Sequence, residues 1–310
     1  MNSRHIIADA WHFTRENPKL MWWFAFFPCL LTTLIEIFYL LYQFFAFKHS
    51  ELFHYDGKSF LAEVIGTSFD FLNVHGDLWV PAIITVSIVL TLYALLPTLC
   101  QGALIQTIAK KKQGEELGIP QGISLGMLAF LPLLEYHLLI KTFSIISLIT
   151  EAAFVLRNLG PGALTTLLPV FIAVMMIGFV LMLLFTYSEF FIILGKKSPL
   201  SAMGQSAKLV VISWQHTFLI AILMLIIGLR VIINIVAVML VPALLFFSAG
   251  FLATISFQSL GLIIGAMVSV IGLFVASYFT GVLNVFSNTV WTLTYLELMN
   301  EKLTQESMGE

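Results

Sequence analysis

Six ionisable residues sit inside otherwise apolar runs: Glu36, Glu135, Lys141, Glu151, Glu189 and Arg230. On insertion scales each such group costs at least about 2.5–3.5 kcal/mol in a bilayer, so each needs a partner or a watery route. Glu36, Lys141 and Arg230 fall deepest, Glu135 and Glu189 near one interface, and Glu151 near the other. Such a set suits a polar transport pathway or a lipid-headgroup site. The plainer reading is that two or three ion pairs lock the helices in register.

Enzyme chemistry finds little support. The chain has no G-x-S-x-G, HExxH, P-loop or dinucleotide fingerprint, and its Ser and His spacing sets no nucleophile beside a base. His49, Glu51, His54 and Asp56 gather four possible metal ligands, but without a Cys pair or second His pair they read as a solvated loop. Cys29 and Cys100 form no CxxC pair and read as packing residues. No catalytic residue, metal or cofactor is expected.

These residues must be positioned by membrane helices. Of 310 residues 59% are hydrophobic and only 10% charged, with mean hydropathy +0.98. A water-facing surface needs about 25% charged residues, so this is an integral membrane protein. A net charge of −2 points to no nucleic-acid partner. Arg4, Arg15 and Lys19 precede a long apolar run without a small-residue cleavage site, which is expected to stay as the first span.

Taken in order, residues 3–19 form a surface helix. His5, Asp9, His12, Glu16 and Lys19 make a polar stripe opposite Ile6, Ile7, Ala10 and Phe13. Asn17-Pro18 breaks it, and Trp22 and Trp23 mark the interface ahead of a first span over 20–47. Phe60, Leu61, Val64, Ile65, Phe69 and Leu72 predict a short amphipathic helix on the outer surface. The second span covers 79–109 and ends in Lys110, Lys111 and Lys112. A surface segment over 120–131 follows, where Gly118, Gly122 and Gly126 permit close helix approach. Pro132 separates it from a third span over 133–156. A turn at residues 157–162 leads to a fourth span over 164–195, ending in Lys196 and Lys197.

Ser198-Pro199 then starts a surface helix with a hydroxyl N-cap and proline at its first position. Leu200, Met203, Ala207, Val210, Val211 and Trp214 share one face; Ser201, Gln205, Lys208 and Gln215 share the wet one. A fifth span begins near His216. Residues 218–257 lack a strong polar break, so either this helix is long and kinked or residues 236–254 re-enter. The sixth span starts near Gln258, with Gly261 and Gly265 spaced for helix contact or self-association. Gly281 and Asn284 loosen it, and residues 288–303 turn amphipathic and leave the membrane.

Lysine and arginine number ten on the side of the N-terminus and three on the other, which puts both termini in the cytoplasm. The expected architecture is an all-α polytopic bundle of six spans in the plasma (inner) membrane. It comprises three repeats of cytoplasmic surface helix plus hairpin, about 3–110, 113–195 and 196–299, and a tail over 300–310. In that arrangement Glu36 and Arg230 lie 14 and 16 residues beyond Trp22 and Trp214. At about 1.5 Å per residue their depths match, which predicts an ion pair, with Glu151 the rival partner for Arg230.

Two stretches carry a family resemblance. GALIQTIAKKKQGEELGIPQGISLGML and FIILGKKSPLSAMGQSAKLVVISWQHTFLI resemble the membrane domain of bacterial glycerophosphoryl diester phosphodiesterases and its stand-alone multi-pass relatives. No soluble barrel follows here, so the resemblance implies a membrane fold and not the hydrolase activity. The expected function is non-enzymatic: a structural or accessory protein organising membrane lipids or partner proteins through its cytoplasmic surface helices. The alternative is a transporter or channel for a small solute or lipid. Interrupted spans at matching positions would favour transport, but the break between spans five and six has no counterpart between one and two.

Overall fold

Residues 3–48, 60–141, 145–229 and 258–308 are described by the computed structural model, and every regular element among them is helical. Helix α1 (Ser3–Glu16) carries the expected polar stripe as i,i+4 pairs, His5–Asp9 at 3.3 Å and His12–Glu16 at 3.1 Å. Its other face buries Ile6 and Ala10. Asn17 ends it, with Nδ2 donating to the Phe13 carbonyl at 2.9 Å. A short α2 (Pro18–Leu20) and a π-helical turn, Met21–Phe26, lead into α3 (Phe27–Lys48). The wider π turn buries Met21, Phe24, Ala25 and Phe26 while Trp22 and Trp23 stay exposed.

Helix α4 (Phe60–Val74) matches the expected amphipathic segment, and a 3-10 turn, Gly76–Leu78, joins it to α5 (Trp79–Lys112). At 34 residues α5 is about 51 Å long, enough to cross a bilayer. Helix α6 (Ile119–Lys141) follows, and α5 and α6 form a tight pair. A Cβ built on Gly126 would stand 2.7 Å from the Leu99 carbonyl oxygen and 2.9 Å from the Ala103 Cβ. One on Gly122 would stand 2.8 Å from the Thr107 hydroxyl. The expected glycine seam is therefore real at these two positions. The expected break at Pro132 is not, because α6 runs straight through it. Proline removes one backbone bond, and packing along α5 outweighs that loss.

Helix α7 (Ile145–Leu184) kinks at Gly160, where φ is +79° and ψ 174°, inside the expected turn. Its helix ends at Leu184 and not at 195: a turn over 185–187 precedes α8 (Ser188–Ile193). Helix α9 (Pro199–Ile212) then meets α10 (Trp214–Leu229) at a 97° bend. Residues 230–257, which include Arg230 and the 236–254 question, lie outside the described residues, as does the His49–Asp56 segment.

Helix α11 (Gln258–Met308) is continuous over 51 residues. Gly281 does not loosen it; a Cβ there would stand 3.4 Å from the Phe26 backbone, so the glycine admits the π turn. Beyond Asn288 the helix packs into the core by one side. Thr289, Val290, Thr292, Thr294, Tyr295 and Leu298 are all buried.

Among the described residues three apolar clusters make the core, and they gather at one end of the molecule. They unite α1, the π turn, the C-terminal half of α5, α6, α8, α9, α10 and the C-terminal half of α11. Away from this base, α5 and α7 expose Val80, Ile84, Ile88, Met176, Ile177 and Val180. Such long apolar helices, bare of polar cover, belong to a membrane-embedded protein.

Helix α9 lies against the base by a stripe that hydropathy does not reveal: Ala202, Ser206, Leu209 and Val210 are buried. Val210, expected on the lipid face, is 7% exposed, whereas Leu200 is 72% exposed. The Ser206 hydroxyl accepts from the Tyr187 N–H at 3.0 Å and donates to the Leu184 carbonyl at 2.8 Å. It thereby satisfies two backbone groups that the end of α7 would leave unpaired.

Candidate functional site

Among the described ionisable residues expected within the membrane, Glu189 has the fullest set of partners. It occupies the first turn of α8. Its Oε1 lies 2.9 Å from His137 Nε2 on α6, and its Oε2 accepts from Gln101 Nε2 on α5. His137 Nδ1 in turn lies 3.3 Å from the Thr98 hydroxyl. The side chains of His137 and Glu189 are 31% and 22% exposed, so this four-residue chain is largely screened from its surroundings. Three helices are tied together where a lone carboxylate would be costly.

Glu36 lies elsewhere, on α3, and lines a cavity of about 220 Å³. Thr32, Thr33, Gln101, Thr280 and Asn284 supply the cavity's other polar groups; Phe24, Ala25, Pro28, Cys29 and Pro97 supply its apolar wall. Gln101 belongs to both places: it borders the Glu36 cavity and donates to Glu189, so it links that cavity to the Glu189–His137 pair.

Two of the other expected residues do not join it. Glu135 and Glu151 are exposed on α6 and α7. Lys141 ends α6, with its side-chain surroundings outside the described residues, and so do Arg230, its pairing with Glu36 or Glu151, and whatever packs on Gly261 and Gly265. Sequence reasoning missed Thr98, Gln101, His137 and Asn284. The usable signal was that each interrupts an apolar run with a side chain needing a hydrogen-bond partner.

At the far end of α3 a separate cluster forms. Arg157 donates to the Gln43 side-chain oxygen Oε1 at 2.8 Å and lies over the rings of Tyr42 and Phe154 at 5.7 and 5.9 Å. This fastens α3 to α7 with a cation held by aromatic faces.

The base carries most of the charge. Lys112 pairs with Asp9 at 3.6 Å, Lys110 with Glu115 at 2.9 Å, and Lys111 donates to Asn17. A groove of about 430 Å³ opens there between α1, the end of α5 and α11, with His5, Asp9, Lys112, Glu297 and Asn300 on its walls. Among the described residues no group of three or more His, Cys, Asp or Glu could hold a metal ion. No family model matches the chain, and no curated protein or solved structure matches it either.

Proposed function

We propose that the protein is a non-enzymatic, multi-pass membrane protein of structural or accessory role, organising lipids or partner proteins through interfacial helices on its cytoplasmic face. The observation that carries this reading is the uneven distribution of packing. Core, most of the charge and the surface-type helices α1 and α9 share one end, while the shafts of α5 and α7 expose mostly apolar side chains. A platform with lipid-facing shafts follows from that asymmetry.

In this reading the chain makes six spans in three repeats and sits in the plasma (inner) membrane with both termini cytoplasmic. The 97° bend between α9 and α10 supports it, since a helix flat on the interface must turn by about a right angle to enter the bilayer. The excess of lysine and arginine on the base supports the sidedness. The resemblance to the phosphodiesterase membrane domain agrees with a membrane role and brings no activity.

Lysines near an anionic leaflet each contribute about 1 kcal/mol of lipid attraction. In nanodiscs of mixed zwitterionic and anionic lipid, the protein should therefore retain anionic lipid preferentially, as read by native mass spectrometry. Replacing Lys110, Lys111 and Lys112 by Gln together should remove most of that preference. An undiminished preference in the triple variant would contradict the reading.

A second reading, a transporter or channel, is favoured by one observation: the cavity at Glu36 and its link through Gln101 to Glu189 and His137. Uptake of a labelled small solute into proteoliposomes, above that of empty liposomes, distinguishes it.

A further inference from the structure

The cavity between α3, α5 and α11 is unusual in what its polar groups have left to offer. Thr32 spends its hydroxyl hydrogen on the Pro28 carbonyl at 2.8 Å, and Thr280 spends its own on the Ala276 carbonyl at 2.9 Å. Both therefore present lone pairs to the cavity. Gln101 donates one amide N–H to Glu189, and its carbonyl oxygen is left able to accept. Glu36, when ionised, only accepts. Asn284 and Thr33 are the exceptions: Asn284 Oδ1 accepts from Asn288 at 3.0 Å while its nitrogen remains a donor, and the Thr33 hydroxyl can donate or accept. The balance is a carboxylate with the lone pairs of Thr32, Thr280 and Gln101 against the donors of Asn284 and Thr33, beside apolar wall and the ring of Phe24.

We propose that this cavity binds a primary ammonium group, R–NH₃⁺, either the headgroup of an aminolipid or a free small amine, with Glu36 as its counter-ion. Three N–H donors and no acceptor are what an ammonium carries, and they complement this lining. The positive charge offsets the cost of a carboxylate at membrane depth. A volume of about 220 Å³ suits several heavy atoms better than a bare ion. A multivalent metal is poorly served by one carboxylate. A quaternary ammonium has no N–H to donate, and a single aromatic ring makes a poor cage for it. The rival occupant is the side chain of Arg230, the partner expected from matched depths.

The test uses the full-length protein in phosphatidylcholine nanodiscs, titrated with ethanolamine hydrochloride, tetramethylammonium chloride and sodium chloride at equal ionic strength. Calorimetric heat and thermal shift are read. Saturable binding of ethanolamine alone is expected. Glu36→Gln should weaken it roughly tenfold or more, as for a lost hydrogen bond to a charge. Thr32→Val and Thr280→Val keep charge and volume and should together weaken it roughly threefold to tenfold, which keeps the test open if Glu36→Gln does not fold.

In a second arm, nanodiscs of phosphatidylethanolamine and phosphatidylcholine are read by native mass spectrometry. Preferential retention of phosphatidylethanolamine, lost in Glu36→Gln, supports the proposal and assigns the ammonium to a lipid. Ethanolamine binding without that retention supports it and assigns a free amine. Equal responses to all three salts with equal retention of both lipids overturn it. So does binding unaltered in the variants, or binding that appears only after Arg230→Gln. The lysine variants report on the base and these on the cavity, so either account can fail alone.

Discussion

His137 and Glu189 make the clearest claim at the scale of single residues. Their 2.9 Å contact joins α6 to α8 from positions 52 residues apart. A double-mutant cycle with His137→Ala and Glu189→Ala, followed by thermal unfolding in detergent, should give a coupling of about 1–2 kcal/mol. Strictly additive losses would mean that the two side chains act independently. Glu189 was legible in the sequence because a carboxylate in an apolar run is expensive wherever it falls. His137 was not, since an imidazole in LLEYHLLIK disturbs the hydropathy less than a carboxylate does and nothing local points to α8. Thr98 and Gln101 escaped for the same reason: a hydroxyl or amide barely disturbs a hydropathy profile. Glu36 was legible as a deep charge, but its expected partner Arg230 lies outside the described residues. The cavity around it assembles from three helices far apart in the chain.

Among the elements, the pairing of α5 with α6 rests on Gly126. The carbonyl of Leu99 would stand 2.7 Å from any Cβ placed there, and that carbonyl is backbone, which cannot swing aside. Gly126→Leu should therefore destabilise the protein by about 3 kcal/mol or more, at the upper end of overpacking costs. Gly204→Ala, on an open face of α9, should instead be neutral or stabilising by up to about 1 kcal/mol. Equal effects of the two, read as melting temperature in detergent, would mean that α5 and α6 do not approach closely. The four-residue glycine spacing announced this contact. The passage of α6 through Pro132 was not legible, because proline acts locally while the packing that outweighs it comes from α5. The buried stripe of α9 stayed hidden too. Ala202 and Ser206 are small and polar enough to look like solvent-facing residues, and Ser206 earns its burial only by bonding the end of α7.

For the whole molecule, the account is of a packed base from which apolar shafts extend, with α9 lying along the interface. That helix has three faces at helical spacing. Leu200 and Val211 project outward and apolar, Ser201 and Lys208 outward and polar, and Leu209 and Val210 into the base. The all-helical class and the positions of most elements were readable from apolar length and helix-start signals. The base was not, because the residues that build it, from Ile6 on α1 to Leu298 on α11, meet only in three dimensions. Single spin labels at these six positions, in liposomes, measure the arrangement directly. Labels at Leu200 and Val211 should be accessible to oxygen and shielded from aqueous nickel, those at Ser201 and Lys208 the reverse, and those at Leu209 and Val210 immobile and shielded from both. Uniform access to aqueous nickel at all six would contradict an interfacial helix docked on a base.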